Sequence, residues 1–376
     1  MYLDHAATTT IRPEAVAALM HGFEVANANA SGTHAAARAA KNALEEARER
    51  ASDLLGADRP DEIVFTSGGT ESDNLAVVGA SLASERHTVV VSEIEHKAVT
   101  ESAAYLKSLG RAWSMVGCDS AGVVGPGAVA NAVDDSVAVV SVMAANNEVG
   151  TLQPIAQIAE AARSRSEDVV VHTDAVQAFV GGDVTVESTG VDLLSLAAHK
   201  FGGPKGVGLL YVRSGVELDP IVFGGGQEAG RRSGTSNVPG VLGMVAAMEA
   251  AIDQRERFSK QVGFERDAFE QRVVAACPHA SVTSQSASRM PHFSHLRFAG
   301  VSAETLLIRL DQQGIQAAAG SACQSGAVTP SHVLVAMGMT DQEASECVRF
   351  SFGWDTAEGD GTTAADAVIE VVEALR

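Results

Sequence analysis

Cysteine is scarce in this chain, and its four copies, Cys118, Cys277, Cys323 and Cys347, lie far apart with no C-x-x-C pair. That spacing excludes a disulfide framework and a cysteine-based structural zinc site, and it suits a reducing compartment. Long apolar runs are missing too: no uninterrupted stretch is long enough to span a bilayer. The opening segment MYLDHAATT has an acid where a secretory signal would need positive charge, so a cytoplasmic protein is expected. Basic residues are the third shortage. The 27 of them against 47 acidic ones leave a net charge of -20, which repels nucleic-acid phosphates and anionic lipid. Direct contact with nucleic acid or membrane is therefore not expected, whereas solubility and a basic protein partner both fit.

The apolar runs that do occur are short and rich in valine, isoleucine and leucine. They recur as EIVFTSGG, HTVVVSE, VAVVSVMAANNEVG, DVVVHTDAVQA and VDLLSLAAHK, separated by alanine-rich segments of helical period. This alternation predicts an α/β fold with a largely parallel sheet covered by helices. Each run ends in small or polar residues, and ligands in such sheets bind beyond the carboxyl ends of the strands. Thr70, His96, Asn147, Asp174 and Lys200 are thereby expected around one crevice. A chain of 376 residues, 46% of them hydrophobic and 20% charged, is long enough for two cores. After GVLGMVAAMEAAIDQRERF the pattern shifts to a shorter mixture of strands and helices, which predicts a second, smaller domain.

Segment IVFTSGGTESDN reads as a strand, a glycine turn and a helix starting near Thr70, whose free amides would face a phosphate. In VVVHTDAVQA, Asp174 ends a strand buried on both faces, where a carboxylate needs a cationic partner or must cap a following helix. A protonated pyridine nitrogen would be such a partner, with Gln177 in reach of a phenolic oxygen on the same ring. In VDLLSLAAHKFGGPKGVG, Lys200 ends an apolar strand beside His199, so its amine is partly desolvated and suited to a Schiff base. Lys97 and Lys205 are rivals, but one follows the acidic EIEH and the other lies in a Gly-Pro turn. His96 supplies a flat group for stacking. An amine, an acid, phosphate donors and a stacking group are what pyridoxal phosphate requires, and the set holds a candidate for each.

Together with YLDHAATT, EIEHKAV, NNEVGT, GGGQEAGRRSGT, GSACQSG, PSHVLVAMG and VRFSFG, these segments resemble the cysteine desulfurases of the class V aminotransferase fold. The likeness covers nearly the whole chain and is closest to the NifS/IscS-type branch with an extended cysteine loop. It implies the type I fold of pyridoxal-phosphate-dependent transferases, a mostly parallel seven-stranded sheet with a smaller α+β domain. The expected division is a large coenzyme-binding domain over 14–250 and a small one formed by 1–13 and 251–376. By the same resemblance Lys200 holds the coenzyme, His96 stacks on its ring, Asp174 pairs with the ring nitrogen and Gln177 bonds the phenolic oxygen. Gly69, Thr70 and His199 stand at the phosphate, and Asn147 at the coenzyme and substrate. Asn147 and Arg349 would bind the carboxylate of L-cysteine. Thr235 would reach the phosphate of a partner subunit, which implies a homodimer with shared sites.

Two departures from the family pattern stand out. Ala197 occupies a position where many relatives carry a phosphate-binding serine. In NANASGTHAAAR, Ala30 and Gly32 replace a proline and a serine, which leaves the roles of Asn29 and His34 open.

Cys323 lies in AAAGSACQSGAVTPSHVL, a run of small residues expected to form a mobile loop. Lys200, Cys323 and His96 are the expected catalytic residues. The amine would remove the substrate Cα proton, and the Cys323 thiolate would take the sulfur as a persulfide, releasing alanine and later loading a protein acceptor. An aminotransferase or selenocysteine lyase on the same scaffold, or an idle scaffold protein, are the alternatives.

Overall fold

The computed structural model describes residues 1–320 and 330–375. Seven strands build the main sheet: β1 (Ile63–Thr66), β2 (Thr88–Ser92), β3 (Ala112–Val116), β4 (Val137–Ser141), β5 (Val170–Asp174), β6 (Leu193–Ala197) and β7 (Gly208–Val212). Their order is β1-β7-β6-β5-β4-β2-β3, with β7 antiparallel to both neighbours and every other pair parallel. Successive residues of a strand face opposite sides. On β2, Val90 enters one apolar core while Val89 and Val91 enter the other, so both faces of the sheet are covered and the run is continuously apolar. β3 is an edge strand with Ala112, Ser114 and Met115 exposed, which is why its sequence carries no strong strand signal.

At the β1–β7 edge the backbones nearly touch. A Cβ on Gly208 would lie 2.6 Å from Gly68, so only glycine lets β7 pass the turn after β1. That turn leads into a helix running from Gly69–Asn74 through a π-helical turn, Leu75–Gly79, to Ala80–Ala83.

A second, antiparallel sheet has the order β10-β9-β8, from β8 (Ala280–Val282), β9 (Phe293–Phe298) and β10 (Cys347–Ser351). Helices Arg255–Ala276 and Asp360–Ala374 pack over it. The N-terminal residues tie the two sheets together. The Leu3 carbonyl accepts from Ser351 N (2.7 Å) beside β10, and Thr9 N donates to the His199 carbonyl (3.1 Å) beyond β6. His34, whose role the sequence left open, caps helix Ala35–Leu55 by accepting from Ala37 N at 3.3 Å, and Asn29 Oδ1 accepts from Ser31 N at 2.9 Å.

Three histidines are sealed in the interior as neutral rings: burial pushes His172, His292 and His295 down to about 3. Neither ring nitrogen of His295 has a hydrogen-bond partner among the described residues. Because the unfolded chain binds a proton there near pH 6.5 and the folded one does not, stability is lost as pH falls from about 7 toward 3. Each such histidine costs roughly 2 kcal/mol at pH 5 relative to pH 7. His295→Leu is therefore expected to lose less melting temperature between pH 7 and pH 5 than the wild type; parallel curves would contradict the assignment.

Candidate active site

The strand ends converge on a crevice of about 680 Å³ between the two sheets. Thr70 reaches it after β1, His96 after β2, Asn147 after β4, Asp174 at the end of β5, Lys200 after β6 and Arg349 from β10. Gly69, Gln177 and His199 line it as well, so one cavity gathers these nine positions singled out in the sequence. Thr235 does not join them; it is exposed beyond Arg232 and outside the crevice of its own chain.

Lys200 follows β6 in a short 3₁₀ turn, Ala198–Lys200. Its Nζ donates to the carbonyls of Ala6 (2.5 Å) and Ala7 (2.8 Å) and, among the described residues, forms no ion pair with a carboxylate. Burial, reinforced by the positive charge of Arg349, brings the amine down to about 8 against the pull of Asp174 and Asp4. About a tenth of it is neutral at pH 7, roughly 300 times the fraction of an unperturbed lysine. Lys97 and Lys205 are exposed, so Lys200 alone of the three rivals has this environment.

Asp174 is buried, and its Oδ1 accepts from Val176 N at 2.9 Å. Burial raises its carboxyl, while nearby His96 and Lys200 oppose the rise. Gln177 is also buried and donates to the Ala6 carbonyl at 2.9 Å, the same oxygen that holds Lys200. His96 caps helix Lys97–Leu106 by accepting at Nδ1 from Ala98 N (3.1 Å), which leaves its proton on Nε2. One side of its ring is open, yet the crevice wall desolvates it and, despite Asp174, holds it below the ordinary histidine range. His199 is lowered to about 4, by burial and then by Lys200 and Lys205; its Nδ1 lies 3.2 Å from Thr8 Oγ1.

Arg349 donates to the Asn147 carbonyl (2.6 Å) and to Asp4 Oδ1 (2.7 Å). Its Nε and the Asn147 Oδ1 are buried without partners among the described residues, two orphaned polar atoms a carboxylate-bearing amine could satisfy. An amine with a lowered pKa, a buried acid, a glycine turn opening a helix and an arginine fork together fit an aldehyde coenzyme that carries a cationic ring and a phosphate. Ala197 lines the same crevice and adds no donor.

Sequence reasoning missed Asp4, Asp73, Glu148 and His332, all on the crevice wall. Glu148 sits in NNEVGT and accepts from Ser331 Oγ at 2.5 Å. His332 Nε2 lies 2.9 Å from the Glu95 carbonyl. Asp73 is sealed 3.7 Å from His172 Nε2, and burial with the charge of Asp174 pushes its carboxyl well above the usual range. Only the acidic character of TESDN and NNEVGT signalled Asp73 and Glu148, while Asp4 in YLDHAATT and His332 in PSHVLVAMG carried no local signal. Cys323 lies outside the described residues. Of the remaining cysteines, Cys118 is raised to about 11 and Cys347 to about 12, mainly by burial, so both stay thiols, and Cys277 caps a helix end.

Residues 1–360 match the family described as Aminotransferase class-V. The chain belongs to that family. Among curated relatives of this class-V member, "Cysteine desulfurase IscS" of Dictyoglomus turgidum is 38% identical and covers 100% of this chain and 95% of its own. "Cysteine desulfurase NifS" of Azotobacter vinelandii is 39% identical, covering 100% and 93%. The fold agrees with a solved "NIFS-LIKE PROTEIN" (TM-score 0.92, 32% identity, 100% of both chains). It also agrees with a structure titled "SspA in complex with cysteine" (TM-score 0.81, 33% identity, 93% of this chain and 98% of that one).

Proposed function

We propose that the protein is a pyridoxal-phosphate-dependent cysteine desulfurase that converts L-cysteine to L-alanine and passes the sulfur to Cys323 as a persulfide. The observation that carries this reading is the desolvated amine of Lys200, without a carboxylate partner among the described residues, in one crevice with buried Asp174 and the orphaned groups of Asn147 and Arg349. The names of the curated relatives support cysteine as the substrate.

Gly69, Thr70 and His199 would hold the coenzyme's phosphate, Asp174 its ring nitrogen, Gln177 its phenolic oxygen and His96 its ring face. Bound there, pyridoxal phosphate supplies an electron sink for the substrate Cα. Arg349 and Asn147 grip the substrate carboxylate, which fixes the Cα hydrogen toward Lys200. An amine near 8 is poised to take that proton and return it. The Cys323 thiolate attacks the substrate sulfur, a sulfur–sulfur bond forms and the carbon–sulfur bond breaks. The electron pair stays with the three-carbon skeleton, which is protonated to alanine.

A homodimer in which Thr235 reaches the partner's phosphate site, a protein sulfur acceptor and a cytoplasmic location complete the proposal. The small domain over 1–13 and 251–376 would carry the Cys323 segment.

With L-cysteine and an excess of a thiol reductant, which reduces the persulfide and releases its outer sulfur, the loaded protein should yield alanine and sulfide in equal amounts and no keto acid; keto-acid production without sulfide would favour the aminotransferase alternative. Arg349→Lys keeps the charge but loses the fork, and should raise KM for cysteine roughly tenfold or more with a smaller change in kcat. An unchanged KM would remove Arg349 from the substrate site.

A further inference from the structure

The glycine turn of the phosphate site carries an acid in an awkward place. Glu71 directly follows Thr70, and its carboxylate folds back over the turn to accept from Ser67 N at 2.8 Å. An unpaired negative charge there would repel a phosphate dianion across a partly desolvated gap. It is not unpaired. Arg232, from the segment that leads to Thr235, donates through Nε to Glu71 Oε1 (2.7 Å) and through a second nitrogen to Oε2 (3.3 Å). The pair is largely shielded, with 20% and 12% of the two side chains exposed. Burial works to raise the Glu71 carboxyl, but the bonds from Arg232 and Ser67 outweigh it and hold the group below the usual range.

The segment bearing Arg232 is itself held in place at a cost. Glu228 and Ala229 have φ of 49° and 56°, a left-handed conformation that residues other than glycine adopt only when the surroundings impose it. What imposes it is a second clamp: Glu228 accepts from Arg48 at 2.7 and 3.0 Å and from Phe65 N at 3.0 Å. Phe65 lies on β1, directly before the turn. The Arg232–Glu71 pair thus fastens the 226–234 segment to the helix after Ser67–Thr70, and Glu228 fastens it to β1 through Phe65 N and to helix Ala35–Leu55 through Arg48.

We propose that Arg232 is a positioning residue of the phosphate site, acting through Glu71: it neutralises that carboxylate and pins it to the turn, so that the amides after Gly68 can receive a phosphate. This rests on the reading of the crevice as a pyridoxal phosphate site and assigns that site an electrostatic component outside the crevice lining.

Dissociation constants of the full-length coenzyme-free protein would test it, measured with pyridoxal phosphate and with pyridoxal, which lacks the phosphate. Arg232→Gln and Arg232→Ala should each weaken pyridoxal phosphate binding roughly tenfold or more, while pyridoxal binding changes by less than about threefold. Adding Glu71→Gln to either variant should restore pyridoxal phosphate binding to within about threefold of wild type. The assignment is overturned if the Arg232 variants bind pyridoxal phosphate like wild type, if both ligands weaken equally, or if Glu71→Gln fails to rescue. Should wild-type protein take up no pyridoxal phosphate at all, the functional reading falls, and Arg232 with it.

Discussion

Lys200→Ala protein is expected to stay colourless with pyridoxal phosphate and to lose cysteine-dependent alanine formation by roughly 10⁴-fold or more, because one side chain supplies both the amine that holds the coenzyme and the base. Its fold should survive. Among the described residues the wild-type amine is tied only to two backbone carbonyls, so truncation breaks no ion pair there, and melting should change little. Lys200→Arg should fail equally, since a guanidinium stays protonated and cannot condense with an aldehyde. The lowered amine also gives a pH signature. Coenzyme uptake by the wild type should accelerate up to about pH 8 and level off above it, because the reactive form is the neutral amine. A rate still rising toward pH 10 would mean the amine is not desolvated.

The second large effect is expected at Asp174. Its carboxylate is sealed beneath the crevice, so replacing it by asparagine leaves a cationic ring nitrogen facing an uncharged amide. Removing one partner of a buried pair costs about 3–5 kcal/mol, so turnover should fall roughly 10²- to 10⁴-fold. Asparagine keeps the shape and can still accept from Val176, which separates lost charge from lost packing. Stability should move the other way. Burial raises the Asp174 carboxyl in the coenzyme-free protein, so the native state holds a proton the unfolded chain has released. Stability then falls as pH rises above the ordinary aspartate range, and the coenzyme-free Asp174→Asn variant should gain on wild type with rising pH. An asparagine variant that turned over cysteine within a few-fold of wild type would remove Asp174 from the site.

Much of this site was legible because strand ends are legible. Valine- or leucine-rich runs that stop abruptly at Asp174 or just before Lys200 mark both a strand buried on two faces and the edge where it opens, and the fold brings those edges to one crevice. The distinction among three lysines could also be read, since only Lys200 ends an apolar run. Less visible was anything defined by contact across the chain. Asp4 meets Arg349 because the N-terminal residues bridge to β10, a pairing over 345 positions that no local pattern encodes. β3 escaped notice because an edge strand with exposed residues has no apolar signature, and β7 because its Gly208 start reads as part of a turn. Asp73 looked like an ordinary residue of TESDN until the helix placed it over His172.

Mass spectrometry of peptides from coenzyme-loaded protein, after L-cysteine is added without an acceptor, tests the central claim most directly. The account predicts one added sulfur atom on Cys323 and one alanine released for each protein chain so loaded. Sulfur found on Cys118, Cys277 or Cys347, or alanine released with Cys323 unmodified, would contradict it.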